Sequence, residues 1–218
     1  MGLRINDTVP NFHAVTDQGE IDFHDFIGDK YTILFSHPAD FTPICTTEFG
    51  AVAQLKDEWD KRGVKVIGLS VDSVEDHKKW KGDISSFAGA PATFPIIADE
   101  DARVSKLLDM LPADAYLPDG KTAADSESVR VVFIFGPDKK LRLSMTYPMS
   151  VGRNFAEVLR ALDAVMATDG TVVRTPANWV PGQDVVIAPS LSTADAKAKY
   201  GDVKEVFPYL RFMADPNA

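Results

Sequence analysis

The sequence predicts an α/β fold on a mixed sheet, with a small C-terminal α+β extension, and three observations lead there. Short apolar runs of β type alternate with helical stretches, so no single period dominates the chain. A strand, a helix and a second strand follow one another closely enough to form a βαβ unit. Further on, two strand-like runs are joined tightly enough for a hairpin, so antiparallel pairing adds to the parallel unit.

Tyr31 to Ser36 (YTILFS) reads as a buried strand, Thr46 to Arg62 as a helix presenting Phe49, Val52, Ala53 and Trp59, and Val64 to Val71 (VKVIGLSV) as the next strand. A charged helix is expected from Val74 to about Phe87. A break at Gly89-Ala90-Pro91-Ala92, a short strand near Ile96-Ile97 and a helix near Ala102 to Met110 follow. Leu111 to Ser128 reads as a long loop. Val129 to Phe135 and Leu141 to Tyr147 form the hairpin, turning at Gly136-Pro137-Asp138-Lys139-Lys140. A helix capped by Asn154 carries Phe155, Val158, Leu159, Leu162, Val165 and Met166 as one apolar stripe and stops at Thr168-Asp169-Gly170. Residues 1–170 are therefore expected to form the main domain and 171–218 the extension, entered through a linker from Arg174 to Gly182. The extension holds a strand at Val185 to Ile187, a helix from Ser192 or Thr193, and a strand-like run from Tyr209 to Met213.

Composition narrows the function. Lys and Arg number 23 against 32 Asp and Glu, a net charge of −9, which opposes electrostatic binding to nucleic acid or an anionic membrane. A hydrophobic share of 45% with 25% charged residues belongs to an ordinary globular chain. Met1 to Asp7 has no apolar signal core, and no window approaches the roughly 18 apolar residues of a membrane span. One cysteine rules out an intramolecular disulfide and multi-cysteine metal sites, and it points to a reducing compartment, with the cytoplasm as the expected location. His13, His24, His37 and His77 show no metal-ligand spacing, and no nucleotide-binding or esterase motif is present, so neither a metal nor a cofactor is expected.

Chemistry then concentrates on Cys45, within Ser36-His37-Pro38-Ala39-Asp40-Phe41-Thr42-Pro43-Ile44-Cys45-Thr46-Thr47-Glu48. Composition alone makes a lone cysteine a small buried hydrophobe. Its position where a strand runs into a helix surrounds the sulfur with unpaired N–H groups and the positive end of the helix dipole, which favours a thiolate nucleophile. Glu48, one turn on, opposes that anion unless a cation partners it. Arg130, an arginine inside an apolar run, is the candidate partner.

Pro38-x-x-x-Thr42-x-x-Cys45 resembles the active-site loop of peroxiredoxins. Ser128 to Phe135, Tyr147-Pro148, Gly152-Arg153-Asn154 and Asn178-Trp179 resemble their one-cysteine subfamily over nearly the whole chain, C-terminal extension included. The resemblance implies a thioredoxin-like fold, a homodimer, and reduction of hydrogen peroxide and organic hydroperoxides. It implies Cys45 as nucleophile, Thr42 and Arg130 as groups that bind and polarise the peroxide, and Pro38 as a shield. Arg153 would be the second active-site arginine, with Glu48 positioning Arg130 and His37 beside the pocket. With no second cysteine, the sulfenic acid needs an external thiol, either a small molecule or a redox protein. Some members carry a phospholipase serine in Gly-Asp-Ser-x-Gly. Here Gly28-Asp29-Lys30-Tyr31-Thr32 stands in that place, with His24 and Asp138 at the partner positions, and a lysine cannot form the acyl ester, so that activity is not expected. Two other classes remain open on these residues: a redox sensor or holdase using the same cysteine, and a non-catalytic interaction module whose thiol titrates normally.

Overall fold

The computed structural model describes residues 2–116 and 127–216. Its main sheet has seven strands: β1 (His13–Thr16), β2 (Gly19–Asp22), β3 (Thr32–Ser36), β4 (Lys65–Ser70), β5 (Ile96–Ala98), β6 (Arg130–Phe135) and β7 (Leu141–Tyr147), in the order β2-β1-β5-β4-β3-β6-β7. β3, β4 and β5 run parallel, and the remaining pairs are antiparallel. This is a thioredoxin-like mixed sheet. The expected βαβ unit is β3, helix α2 and β4, because α2 (Pro43–Gln54) fills the crossover between two parallel neighbours.

Every residue of β3 and of β6 is buried, as expected for central strands covered on both faces. Among the chain's helices, α1 (Phe23–Ile27), α2, α3 (Lys56–Lys61), α4 (Val74–Ala88) and α5 (Arg103–Leu107) precede β6. One face of the sheet packs a core of Phe12, Phe23, Ile27, Leu34, Leu69, Phe133 and Phe135. An aromatic group of Phe35, Phe49, Phe94, Phe155 and Trp80 packs around the start of α2, with ring centroids 4.7 to 5.9 Å apart.

The helix expected over 46–62 is two helices that meet at Leu55, and the first begins earlier, at Pro43, because proline suits the first helical position. The helix near 102–110 shortens to Arg103–Leu107, since Ala102 takes a left-handed φ of 54° in front of it and Asp109 one of 59° beyond it. Within the long loop, a 3-10 turn spans Ala113–Tyr116, and residues 117–126 lie outside the described set. The β1–β2 hairpin and α1 were not anticipated.

The chain divides into two compact units, Met1–Phe155 and Ala156–Ala218. Helix α6 (Phe155–Thr168) thus groups almost entirely with the second unit, whereas the sequence reading assigned it to the first. The reason is packing: Ala164 and Ala167 join Val173, Trp179, Val185, Ile187, Ala196 and Met213 in one cluster. That unit has its own sheet of β8 (Val173–Arg174), β9 (Val185–Ile187), β10 (Lys204–Phe207) and β11 (Leu210–Met213), ordered β10-β11-β9-β8, together with α7 (Thr193–Tyr200). β10 escaped the sequence reading because all four of its residues are exposed and no apolar alternation marks it.

Gly68 in β4 permits the close seating of α2, since a Cβ there would sit 3.0 Å from the Phe49 ring and 3.4 Å from Ile96. Gly68→Val is expected to destabilise the protein by about 2 kcal/mol through overpacking, measured by denaturant unfolding.

Candidate active site

The site is assembled where β3 ends and α2 begins. Ser36 closes β3, a turn carries His37, Pro38, Ala39, Asp40 and Phe41, and Thr42 stands at the N-cap of α2, so Cys45 occupies its first turn. Cys45 is a free cysteine, 0% exposed. Thr42 gives α2 no side-chain cap; its hydroxyl donates instead to the Ala39 carbonyl at 2.9 Å, which leaves the first-turn amides uncapped by that side chain.

β6 pairs with β3 and brings Arg130 across. The Arg130 guanidinium is 3% exposed. Its Nη1 donates to Cys45 Sγ at 3.3 Å and to Glu48 Oε2 at 2.7 Å, and its Nε donates to the Met149 carbonyl at 2.9 Å. Glu48, one turn after Cys45, is gripped from a second side. Arg153 donates to its two oxygens through Nε at 2.9 Å and Nη2 at 2.8 Å, and the Arg153 amide adds a third bond at 2.8 Å. Arg153 Nη1 bridges the Ser36 and Val131 carbonyls at 2.8 and 2.9 Å, tying the end of β3 to β6. Its plane lies over the Phe35 and Phe155 rings at 5.3 and 5.5 Å.

Burial pushes the Glu48 carboxyl up, yet the hydrogen bonds and charge of Arg153, joined by the charge of Arg130, hold it below its ordinary value of 4.5. Glu48 is therefore a carboxylate shared by two guanidiniums. The cluster keeps one positive charge in excess, and Arg130 carries it to within 3.3 Å of the sulfur.

All seven residues anticipated from the sequence lie on the turn after β3, on α2, or on the segments that meet them. Pro38 is buried next to His37. His37 is fully buried, with its Nε2 on Asp40 at 2.7 Å and its ring stacked on Trp80 at 5.0 Å. Burial lowers its pKa, so the ring is neutral. Arg153 holds Glu48, while the donor that meets the sulfur comes from Arg130. Asp40 and His77, joined at 2.6 Å, were not anticipated as part of this region. At the phospholipase positions, His24 Nε2 donates to the Val9 carbonyl and Asp138 pairs with Arg142.

A lone cysteine at the head of a helix in a thioredoxin-like sheet, met by an arginine that a buried carboxylate holds, defines the class as a thiol-dependent peroxidase with a one-cysteine mechanism. Two family patterns match the chain, AhpC/TSA over residues 5–144 and the C-terminal domain of 1-Cys peroxiredoxin over residues 161–202. Peroxiredoxin PRX1, mitochondrial, of Saccharomyces cerevisiae is 52% identical over 213 residues, covering 96% of this chain and 80% of its own length. Peroxiredoxin-6 of Gallus gallus is 46% identical over 225 residues, covering 99% of each. Among solved structures, a cysteine-to-serine mutant of the Peroxiredoxin 6 of Arenicola marina matches with a TM-score of 0.90 at 40% identity over 100% of both chains. The yeast mitochondrial 1-Cys peroxiredoxin, described as resolved by glutathione/thioredoxin systems, matches with a TM-score of 0.86 at 51% identity, covering 97% of this chain and 99% of its own. The chain belongs to the AhpC/TSA peroxiredoxin family and carries its 1-Cys C-terminal domain.

A carboxyl whose native pKa is depressed contributes stability that is present above its unfolded value and lost as pH falls through the native value. Glu48→Gln is therefore expected to flatten the loss of stability between pH 5 and the acid limit. At pH 7 it should cost about 3 kcal/mol by leaving two buried guanidiniums without their carboxylate. Denaturant unfolding as a function of pH measures both.

Proposed function

We propose that Cys45 is the peroxidatic nucleophile and that Arg130 is its electrostatic partner, supported above all by the 3.3 Å contact between Arg130 Nη1 and Cys45 Sγ. The thiolate attacks the terminal oxygen of R–O–O–H in line with the O–O bond. An S–O bond forms, the O–O bond breaks with its electron pair on the departing RO⁻, and that oxygen takes a proton to leave as ROH. Sulfur ends as Cys–SOH. Arg130 and the first-turn amides of α2 face the developing charge, and preorganised donors of this kind contribute roughly 3 to 4 kcal/mol each. Glu48 and Arg153 keep Arg130 aimed. Thr42 and Pro38 shape the turn through which the peroxide reaches the sulfur, and His37 supports that turn from its buried side.

The second half of the cycle uses a thiol from outside the chain. It displaces water from Cys–SOH to give a mixed disulfide, and a second thiol then releases Cys45 and leaves as the disulfide. The yeast neighbour's glutathione/thioredoxin systems supply the precedent for choosing these two reductants. The proposal includes a homodimer, supported by the family resemblance. It also includes a reducing compartment. No described helix is long and apolar enough to cross a membrane, and a relative with 52% identity carries a mitochondrial name, so the cytoplasm is the finer half of this proposal.

Cys45→Ser is expected to abolish hydroperoxide consumption in the presence of glutathione or thioredoxin, and wild-type turnover by this variant would end the assignment. Arg130→Met is expected to lower kcat/KM for hydrogen peroxide by about 10²- to 10³-fold, read in a coupled peroxidase assay. A stable monomer at micromolar concentration in sedimentation would refute the dimer.

A further inference from the structure

The turn that delivers Thr42 and Cys45 is held by a buried network that the reaction as derived does not use. The Asp40 carboxylate, 1% exposed, lies between two histidines with 0% exposed side chains: Oδ1 meets His37 Nε2 at 2.7 Å and Oδ2 meets His77 Nδ1 at 2.6 Å. The far nitrogen of His77, Nε2, faces the Ile97 carbonyl at 3.2 Å. Asp40 also donates its amide to Asp72 Oδ2 at 2.9 Å, and the same oxygen accepts from the Ser70 hydroxyl at 2.6 Å.

Hydrogen-bond accounting fixes the protons. A carbonyl only accepts, so His77 Nε2 carries a hydrogen. Burial raises the Asp40 carboxyl, but the bonds from His37 and His77 outweigh it and hold that carboxyl below its ordinary value, so Asp40 is a carboxylate and also only accepts. Both His77 nitrogens thus face acceptors, the Asp40 carboxylate at 2.6 Å and the Ile97 carbonyl at 3.2 Å. His37, neutral, gives its single proton to Asp40, and its Nδ1 is left as a buried acceptor without a hydrogen-bond partner among the described residues. His37, Asp40 and Asp72 place ligand-type atoms within 4.8 Å of one another, but the bonds above occupy those of Asp40 and Asp72 and the Nε2 of His37.

Two more observations connect this network to Cys45. Phe41, directly after Asp40, is forced to a left-handed φ of 55°, a conformation a bulky residue keeps only where its surroundings over-determine it. α4 carries both His77 and Trp80, three residues apart on one face. His77 holds Asp40, while Trp80 Nε1 donates to Thr46, the neighbour of Cys45, at 3.1 Å. One helix therefore grips the turn and the start of α2 together.

We propose that His77 is a positioning residue of the peroxidase site: flanked by two acceptors, it carries a hydrogen on both nitrogens, neutralises the Asp40 carboxylate, fixes the turn from His37 to Thr42 and keeps an unbalanced negative charge off the turn that leads to Cys45. The charged groups involved are few. Asp40 is faced by His37 from the turn, His77 from α4 and Asp72 from the segment after β4. Cys45 is faced by Arg130 from β6 and Glu48 from α2, with Arg153 acting through Glu48. Removing the positive partner of Asp40 leaves an unbalanced negative charge on the turn that leads to Cys45, and removing both charges restores neutrality.

The inference rests on Cys45 being the nucleophile, and its test separates the two claims. The pH profile of iodoacetamide labelling of Cys45 is compared in wild type, His77→Asn, Asp40→Asn and the double variant. Asparagine at 77 still offers a donor to Asp40, and Asp40→Asn can keep both histidine bonds with neutral groups. His77→Asn is expected to move the profile to higher pH by roughly half a unit or more, and the double variant to return it to the wild-type position. A structural role alone would leave the double variant at least as displaced as the single one. Coincidence of His77→Asn with wild type, or a double variant that stays displaced, overturns the inference. If His77→Asn does not fold, recovery of the fold in the double variant supports the charge argument and its failure overturns it. A wild-type Cys45 no more reactive than free cysteine at pH 7 ends the nucleophile assignment and this inference together. A reactive wild-type thiol indifferent to the variants overturns this inference alone.

Discussion

The structure depends on one carboxylate held between two guanidiniums. Glu48 sits one turn from Cys45, where its charge would oppose an anionic sulfur, yet Arg130 and Arg153 both bind it away from solvent. One carboxylate against two arginines leaves a single positive charge in the interior. An uncompensated buried charge is costly, and the proposed thiolate form of Cys45 is the group placed to balance this one. Arg130 meets both Glu48 and the sulfur through the same nitrogen, so the orientation of its fork is set by the carboxylate rather than by the thiol.

The sheet makes this arrangement possible. β3 and β6 are antiparallel neighbours with Phe35 opposite Val132, so Arg130 enters close to where β3 gives way to the turn and α2. Arg153 then ties the Ser36 and Val131 carbonyls together, stitching the last residue of β3 to β6 while it positions Glu48. The aromatic group around Phe35, Phe49 and Trp80 excludes water from that side, which strengthens every charge interaction inside it. Fold and site are coupled through the same few residues, because the groups that hold the strands together also aim the donors.

Much of this was legible in the sequence because it carries strong local signals. A cysteine where a strand runs into a helix, followed by a carboxylate one turn on, calls for a buried cation, and an arginine inside an apolar strand needs an acid. Those two costs alone pair Glu48 with Arg130. The division of labour between the arginines was less accessible, since only geometry distinguishes the one that touches sulfur from the one that holds the carboxylate. Asp40 and His77 escaped because they are far apart in sequence and share no period or ligand spacing. β1 alternates in burial but puts Ala14 and Thr16 inside and His13 and Val15 outside, and β10 is wholly exposed, so neither shows in its sequence the apolar alternation that betrays a strand. The break at Leu55 lies inside a continuous helical pattern.

The central claim is that Arg130 acts on Cys45 because Glu48, itself fixed by Arg153, aims it. Stopped-flow measurement of Cys45 oxidation by hydrogen peroxide in Arg153→Lys tests this most directly, since lysine keeps the charge but cannot span both oxygens of Glu48 and the two strand carbonyls. The account predicts a second-order rate constant lower by about tenfold or more in a protein that remains folded. A folded Arg153→Lys oxidised as fast as wild type would contradict it.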